Sequence, residues 1–166
     1  RGLFALDVTV PHAMTETNAK NVVMWEFTNQ DDPHLGYTYS KPIVGMMPNG
    51  RWAAIVGNGY RDTASDRTGG QAQLFILFLD GGLDGEWTEG RDYVRIPTGV
   101  GSPTDRNGLS TPNAVDTDGD GGLDICVGAF GADQALIHAG SVHVFLGGAG
   151  LVDTDADDDD LTLEGE

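Results

Sequence analysis

Apolar and polar residues alternate in short blocks along most of the chain, and turn residues separate the blocks. The segments at about 41–47, 51–57, 71–79 and 91–96 read as strands, followed by a second set at about 111–115, 123–128, 140–146 and 160–164. Pro48-Asn49-Gly50, Gly81-Gly82 and Asp118-Gly119-Asp120-Gly121 supply the turn chemistry between them. A shorter set precedes these, from Leu3 to Val8 and from Val22 to Phe27. No segment sustains a 3.6-residue apolar period, so little helix is expected. The polar or glycine-rich stretches 60–70, 80–90 and 130–139 read as mobile loops.

The blocks also repeat. Pro42 aligns with Pro112, Gly57 with Gly128 and Phe75 with Phe145, at offsets of 70, 71 and 70 residues. A fixed period that keeps strand-like segments in step marks a repeat architecture. Four short antiparallel strands per unit is the makeup of a propeller blade. The expected fold is therefore all-β, a β-propeller-type fragment of four-stranded antiparallel blades. Residues 1–35 form a partial blade, 36–106 a blade, and 107–166 a blade with an acidic C-terminal connector. Such an arc leaves strand edges exposed and prone to self-association.

Composition then changes the picture. The 166 residues carry 26 acidic and 9 basic side chains, a net charge of −17. The first 106 residues hold 13 acids and all 9 bases, net −4, and the last 60 hold 13 acids with no Lys or Arg, net −13. Nucleic acid and anionic lipid need Lys/Arg patches, so neither is an expected partner. The longest fully apolar run, Leu74 to Leu79, falls far short of a membrane-spanning helix. The chain opens at Arg1 with neither an initiator Met nor a signal peptide, which reads as a piece of a longer protein. The single Cys126 excludes an internal disulfide and, within an apolar run, reads as a buried structural thiol.

The densest acidic motif is Asp116-Thr117-Asp118-Gly119-Asp120-Gly121-Gly122-Leu123-Asp124. It places carboxylates at loop positions 1, 3, 5 and 9, a glycine at position 6 where a sharp turn is needed, and the Gly122 carbonyl at position 7. This is an oxygen set suited to calcium. Position 12 is Val127 and no helical pattern flanks the loop, so it matches only the first part of an EF-hand loop, set between strands. Two carboxylates about 5 Å apart repel by about 3 kcal/mol at an effective dielectric of 20. Four converging on one turn call for a cation. The metal ligands are expected to be Asp116, Asp118, Asp120, Gly122 and Asp124, and the ion Ca2+. Acid below about pH 4 protonates such ligands. A second run, Asp153 to Asp160, lacks the position-6 glycine and reads as a solvated connector.

Enzyme constellations are missing. His12, His34, His138 and His143 show no metalloprotease spacing, and no nucleophile elbow or phosphate-binding glycine loop is present. His143 alternates with Val142 and Val144 and reads as a solvent-facing strand residue. Asp105 and Arg106 beside Asn107-Gly108 read as a salt-bridged turn. Trp25, Trp52 and Trp87 read as packing residues, with sugar stacking as the functional alternative.

Several co-linear motifs carry a family resemblance. They are Gly2-Leu3-Phe4-Ala5-Leu6-Asp7-Val8-Thr9, Trp25-Glu26-Phe27, Leu35 to Pro42, Gly57-Asn58-Gly59-Tyr60, Pro97-Thr98-Gly99, Asn107 to Pro112 and the Asp116 to Asp124 loop. Through them, residues 1 to about 125 resemble the C-terminal β-propeller of PilY-type type IV pilus biogenesis proteins, which are pilus-associated adhesins. The resemblance implies that the Asp loop is a calcium site tuning pilus extension and retraction. It implies an extracellular or pilus-associated location at the bacterial cell surface. The implied partners are proteins, either pilus components or host and cell-surface ligands. From about residue 116 onward the chain also resembles the integrin-alpha FG-GAP repeat, through Val127 to Ala132 and Ala139 to Gly147. That opens a second reading, an FG-GAP adhesion protein unrelated to pili. A third, from another class, is a quinoprotein-like dehydrogenase propeller, suggested by Ala5-Leu6-Asp7 and Trp25-Glu26; it lacks visible cofactor ligands. The expected role is non-enzymatic: calcium orders a surface for a protein partner.

Overall fold

A computed structural model describes residues 1–115, 124–129 and 140–147, and the backbone of 161–164. Ten strands form three antiparallel sheets among them. The first pairs β1 (Gly2–Leu6) with β2 (Val23–Thr28). The second is β3 (Ile43–Met46), β4 (Trp52–Gly57), β5 (Gln71–Phe78) and β6 (Tyr93–Gly101), hydrogen-bonded in sequence order. The third runs β7 (Asn113–Val115), β8 (Asp124–Ala129), β9 (Ser141–Phe145) and β10 (Leu161–Glu164), again without a crossover. Two successive four-stranded meanders are the blades the repeat predicts, and the all-β, propeller-type class holds.

The central sheet explains the longest apolar run. Side chains alternate between faces along a strand. In β5, Ala72, Leu74, Ile76 and Phe78 enter one apolar cluster with Ile125, Val127, Ala129 and Phe145 of the third sheet. Phe75 and Leu77 enter a second cluster with Trp25 and Phe27 of the first sheet. A strand buried on both faces reads as a continuous apolar run instead of an alternating one. Each such side chain contributes about 1.5–3 kcal/mol by leaving water.

Strand ends differ from the expected bounds where the backbone chemistry is local. β6 runs on to Gly101, although it contains Pro97. As the edge strand of its sheet it tolerates a residue without an N–H. The β5–β6 register slips between Gln71 and Gln73, and Thr98 Oγ1 donates to Ala72 O (2.9 Å) beside that slip. Between β1 and β2 the chain makes two 3-10 turns, Pro11–Ala13 and Glu16–Asn18, and one helical turn, α1 (Ala19–Val22). None of these has the length for an apolar period to register.

Close backbone approach joins the sheets. A Cβ on Gly57 would sit 2.3 Å from Ser110 O, and one on Gly108 would sit 1.9 Å from Gly59 O. Both glycines lie where the end of β4 meets the segment leading into the third sheet.

Candidate functional site

Four of the five expected metal ligands, Asp116, Asp118, Asp120 and Gly122, lie outside the described residues, as do Asp153 to Asp160. Asp124 is described. It opens β8, is fully buried, and sits opposite Val115 of β7. Val115 and Asp124, which flank 116–123 in the sequence, are thus paired across the sheet. Asp124 Oδ1 accepts a hydrogen bond from the Gly147 N–H (2.6 Å), just after β9. The carboxylate thus joins the start of one strand to the end of its neighbour. Oxygen donors from carboxylates and a carbonyl suit a hard cation, so the residues fit calcium in their chemistry. Among the described residues alone, no group of three or more His, Cys, Asp or Glu side chains is suited to a metal.

A second constellation escapes sequence reading. Asn58 is fully buried at the end of β4. Its Oδ1 accepts from Gln73 N (3.0 Å) of β5 and from Leu109 N (3.0 Å) of the next blade. Its Nδ2 donates to Gln71 O (3.0 Å) and to His34 O (3.4 Å) of the preceding connector. Its own carbonyl accepts from Gly36 N, and Gly59 N donates to Leu109 O. One side chain therefore ties three consecutive units at one point. The flanking glycines in Gly57-Asn58-Gly59 were the available signal, since close approach requires them.

The loop after this joint is anchored, in contrast to the mobile loop expected over 60–70. Asp62 is buried; its Oδ2 accepts from Gly70 N (2.7 Å) and its Oδ1 from Arg106 Nη1 (2.6 Å). Arg106 thus pairs with Asp62 across the joint and not with its neighbour Asp105. The expected local turn loses because the buried carboxylate has more to gain from a cation than an exposed one. Nearby, the buried Asp32 and His34 meet Asp66, Thr68, Tyr93 and Arg95 in a polar cluster.

The tryptophans divide. Trp25 and Trp87 pack edge-to-face, ring centres 5.2 Å apart, and donate to Leu79 O and Glu26 O. The tie from Trp87 pins the 80–90 stretch onto β2. Trp52, at the start of β4, is 52% exposed, so it is not a packing residue in these sheets. Cys126 is half-buried, on the opposite face of β8 from Ile125 and Val127. His143 overturns its expectation: it is 2% exposed. The strand alternates as expected, but the histidine lies on the covered side with Ser141 and Phe145. Ser141 Oγ lies 3.0 Å from His143 Nε2, and Nδ1 has no hydrogen-bond partner among the described residues. Burial pushes its pKa down.

With this geometry in place, similarity to known proteins becomes informative. Residues 1–159 match the family described as the PilY1 beta-propeller domain. That match runs past residue 125 and includes most of the stretch resembling FG-GAP. A type IV pilus biogenesis factor PilY1 homolog from Xylella fastidiosa is 40% identical over 129 residues, covering 78% of this chain and 8% of the relative. PilY1 of Pseudomonas aeruginosa strain UCBPP-PA14 is 38% identical over 121 residues, covering 73% of this chain and 9% of that protein. The chain thus spans less than a tenth of these relatives. The crystal structure of the P. aeruginosa PilY1 C-terminal domain superposes with a TM-score of 0.57 at 31% identity, over 78% of this chain and 23% of that one. Co-linear motifs, meander sheets and these similarities agree, and the chain belongs to the PilY1 beta-propeller domain family.

Proposed function

We propose that this chain is a calcium-binding β-propeller segment of a pilus-associated cell-surface protein, with a structural and non-enzymatic role. The ligands are the carboxylates of Asp116, Asp118, Asp120 and Asp124 and the carbonyl of Gly122. The observation that carries the reading is the buried Asp124 carboxylate, which already holds Gly147 across the sheet. The bound ion supplies positive charge to the convergent carboxylates. Asp124 then passes that order to both β8 and the turn after β9. Metal affinity and local folding are linked where the ligands come together only in the folded chain.

The relatives carry the name type IV pilus biogenesis factor, which supports a pilus-associated location and protein partners, either pilus components or host and cell-surface ligands. Among the described residues no helix is long and apolar enough to cross a membrane. The family match through residue 159 favours this reading over an FG-GAP adhesin unrelated to pili.

The test is a pair of thermal melts, one with calcium and one with a chelator. Calcium raises the midpoint in the parent chain, and Asp120→Ala abolishes the difference. Equal melts with calcium and chelator in the parent chain sink the reading.

A further inference from the structure

We propose that Asp32, His34 and Asp66 form a proton-dependent latch: the imidazolium fastens the 61–70 segment to the connector between the first and second sheets, and loss of its proton loosens that segment. The proposal is independent of the calcium reading and involves none of its ligands.

The geometry favours a charged ring. His34 Nδ1 lies 2.8 Å from Asp32 Oδ1, and Nε2 lies 3.0 Å from Asp66 Oδ1. Ionised carboxylates only accept hydrogen bonds, and a neutral imidazole donates from one nitrogen alone. Both contacts are satisfied together only by the doubly protonated ring. The remaining charged and titratable groups around it are Arg95, Tyr93 and Glu89. Arg95 Nε stands 3.2 Å from Asp32 Oδ2 and its Nη2 3.5 Å from Glu89. Tyr93 OH donates to Asp32 Oδ2 (2.9 Å). Two carboxylates, one imidazolium and one guanidinium therefore balance in the cluster, with Glu89 at its rim.

The two sides of the latch are unequal, and this sets where it opens. Asp32 is buried and held from three further directions, by Tyr93, Arg95 and the His34 N–H (2.9 Å). The Asp66 side chain is 58% exposed and is otherwise held only within its own loop, by Thr68 N and Oγ1. Thr68 Oγ1 also lies 3.0 Å from His34 Nε2. When the ring loses its Nε2 proton, that hydroxyl can donate to the bare nitrogen, and Asp66 turns to solvent.

The loop has reason to move. Arg61 is the one non-glycine residue with positive φ (59°) among the described residues, a conformation that persists only when its surroundings impose it. Residues 58–60 stay bound to the connector through Gly36 N to Asn58 O and Tyr37 N to Tyr60 O. Within 61–70, besides Asp66 and Thr68, the tie to the connector is Thr63, whose N–H and hydroxyl both donate to Pro33 O. The same segment carries Asp62, so its loosening reaches the contact with Arg106 that leads into the next unit.

Burial opposes the charge on His34, but its hydrogen bonds to Asp32 and Asp66 outweigh burial, and its pKa is raised. The Asp66 carboxyl is held down at about 2, chiefly by its hydrogen bond to His34. The latch is therefore closed below the ordinary histidine value and opens as pH rises through the elevated His34 value.

The experiment uses the full chain. Imidazole 15N shifts, assigned with His34→Gln, follow the protonation of His34, while hydrogen exchange corrected for intrinsic rate follows the Thr63 amide. His34 should remain doubly protonated above pH 6.5. Thr63 protection should fall about tenfold for each unit by which the His34 midpoint exceeds its ordinary value. Asp66→Asn, a change at an exposed site, should lower that midpoint and remove the pH dependence at Thr63. A His34 midpoint at or below 6.5 overturns the proposal, and so does an unchanged midpoint in Asp66→Asn.

Discussion

The central and third sheets share a meander and a period, yet they are held together differently. In the central sheet every residue of β5 from Ala72 to Phe78 is buried, and apolar neighbours cover both faces. In the third sheet β7 has three residues, β8 and β9 bury one face, and Cys126, Val142 and Val144 on the other are half-buried. Its strands instead meet at a buried carboxylate, Asp124. The repeat therefore keeps the backbone layout, while the third sheet buries apolar side chains on one face and adds a buried carboxylate tie. A sheet with less apolar burial has more to gain from an ion.

The largest break in this comparison comes from the central core. Phe75 packs on Phe27 and Tyr93, with ring centres 5.7 and 6.1 Å away. Phe75→Ala should cost about 3–5 kcal/mol, read as a lowered urea midpoint. Phe145→Ala in the third sheet should cost less, because Phe145 is slightly less buried and its ring partner is the polar His143. Equal costs would mean that the two sheets depend on apolar burial alike.

The joint between them comes next. Asn58→Ala leaves Gln73 N and Leu109 N buried without their acceptor. Unsatisfied buried donors are expensive, and the change should cost about 3 kcal/mol. Asn58→Asp keeps the acceptor oxygens but removes the donors to Gln71 O and His34 O. It should recover only part of the loss. Full recovery would show that the contacts to Gln71 and His34 are idle.

Calcium should act on one side of the comparison only. At a hundredfold excess over its dissociation constant the ion adds about 2.7 kcal/mol to whatever unit must fold to bind it. Hydrogen exchange should slow at Cys126 and Val144 in the third sheet and stay unchanged at Ile55 and Leu74 in the central one. Uniform slowing across both would mean that the joint couples them into a single cooperative unit.

How much of this was legible in the sequence follows from which physics is local. Strand alternation and turn residues are local, so both four-stranded sheets could be read from Ile43 to Gly101 and from Asn113 onward. The acidic loop stood out because its carboxylates are contiguous in the chain. The Asn58 joint and the His34 cluster were not, since their partners lie as far away as Leu109 and Arg95. His143 shows the limit within a strand. Alternation fixes which residues share a face, and only the neighbouring sheet decides which face is covered.

The two buried histidines among the described residues turn the comparison into a question of sign. His34, at the edge of the central unit, has a raised folded-state pKa. Its contribution is fully present below the unfolded value of about 6.5 and is lost as pH rises through the folded value. His143, in the third sheet, has a lowered one, because burial disfavours the charged ring and Nδ1 has no acceptor among the described residues. The unfolded chain then takes up a proton near pH 6.5 that the folded sheet refuses until lower pH. The contribution of His143 is thus present above about 6.5 and is lost as pH falls towards the folded value. Acidification from pH 7.5 to 5.5 should therefore speed exchange at Cys126 and Val144 while protection at Thr63 holds or rises. His143→Phe fills the same apolar side beside Phe145 and gives up only the contact with Ser141 Oγ, so at pH 7.5 it should cost about 0.5–1.5 kcal/mol. Below pH 6.5 the gap from the parent chain should narrow, because phenylalanine has no proton to take up. If exchange in the third sheet of His143→Phe kept the parent's acid sensitivity, the titrating group would be elsewhere, and the opposition between the two histidines would fail.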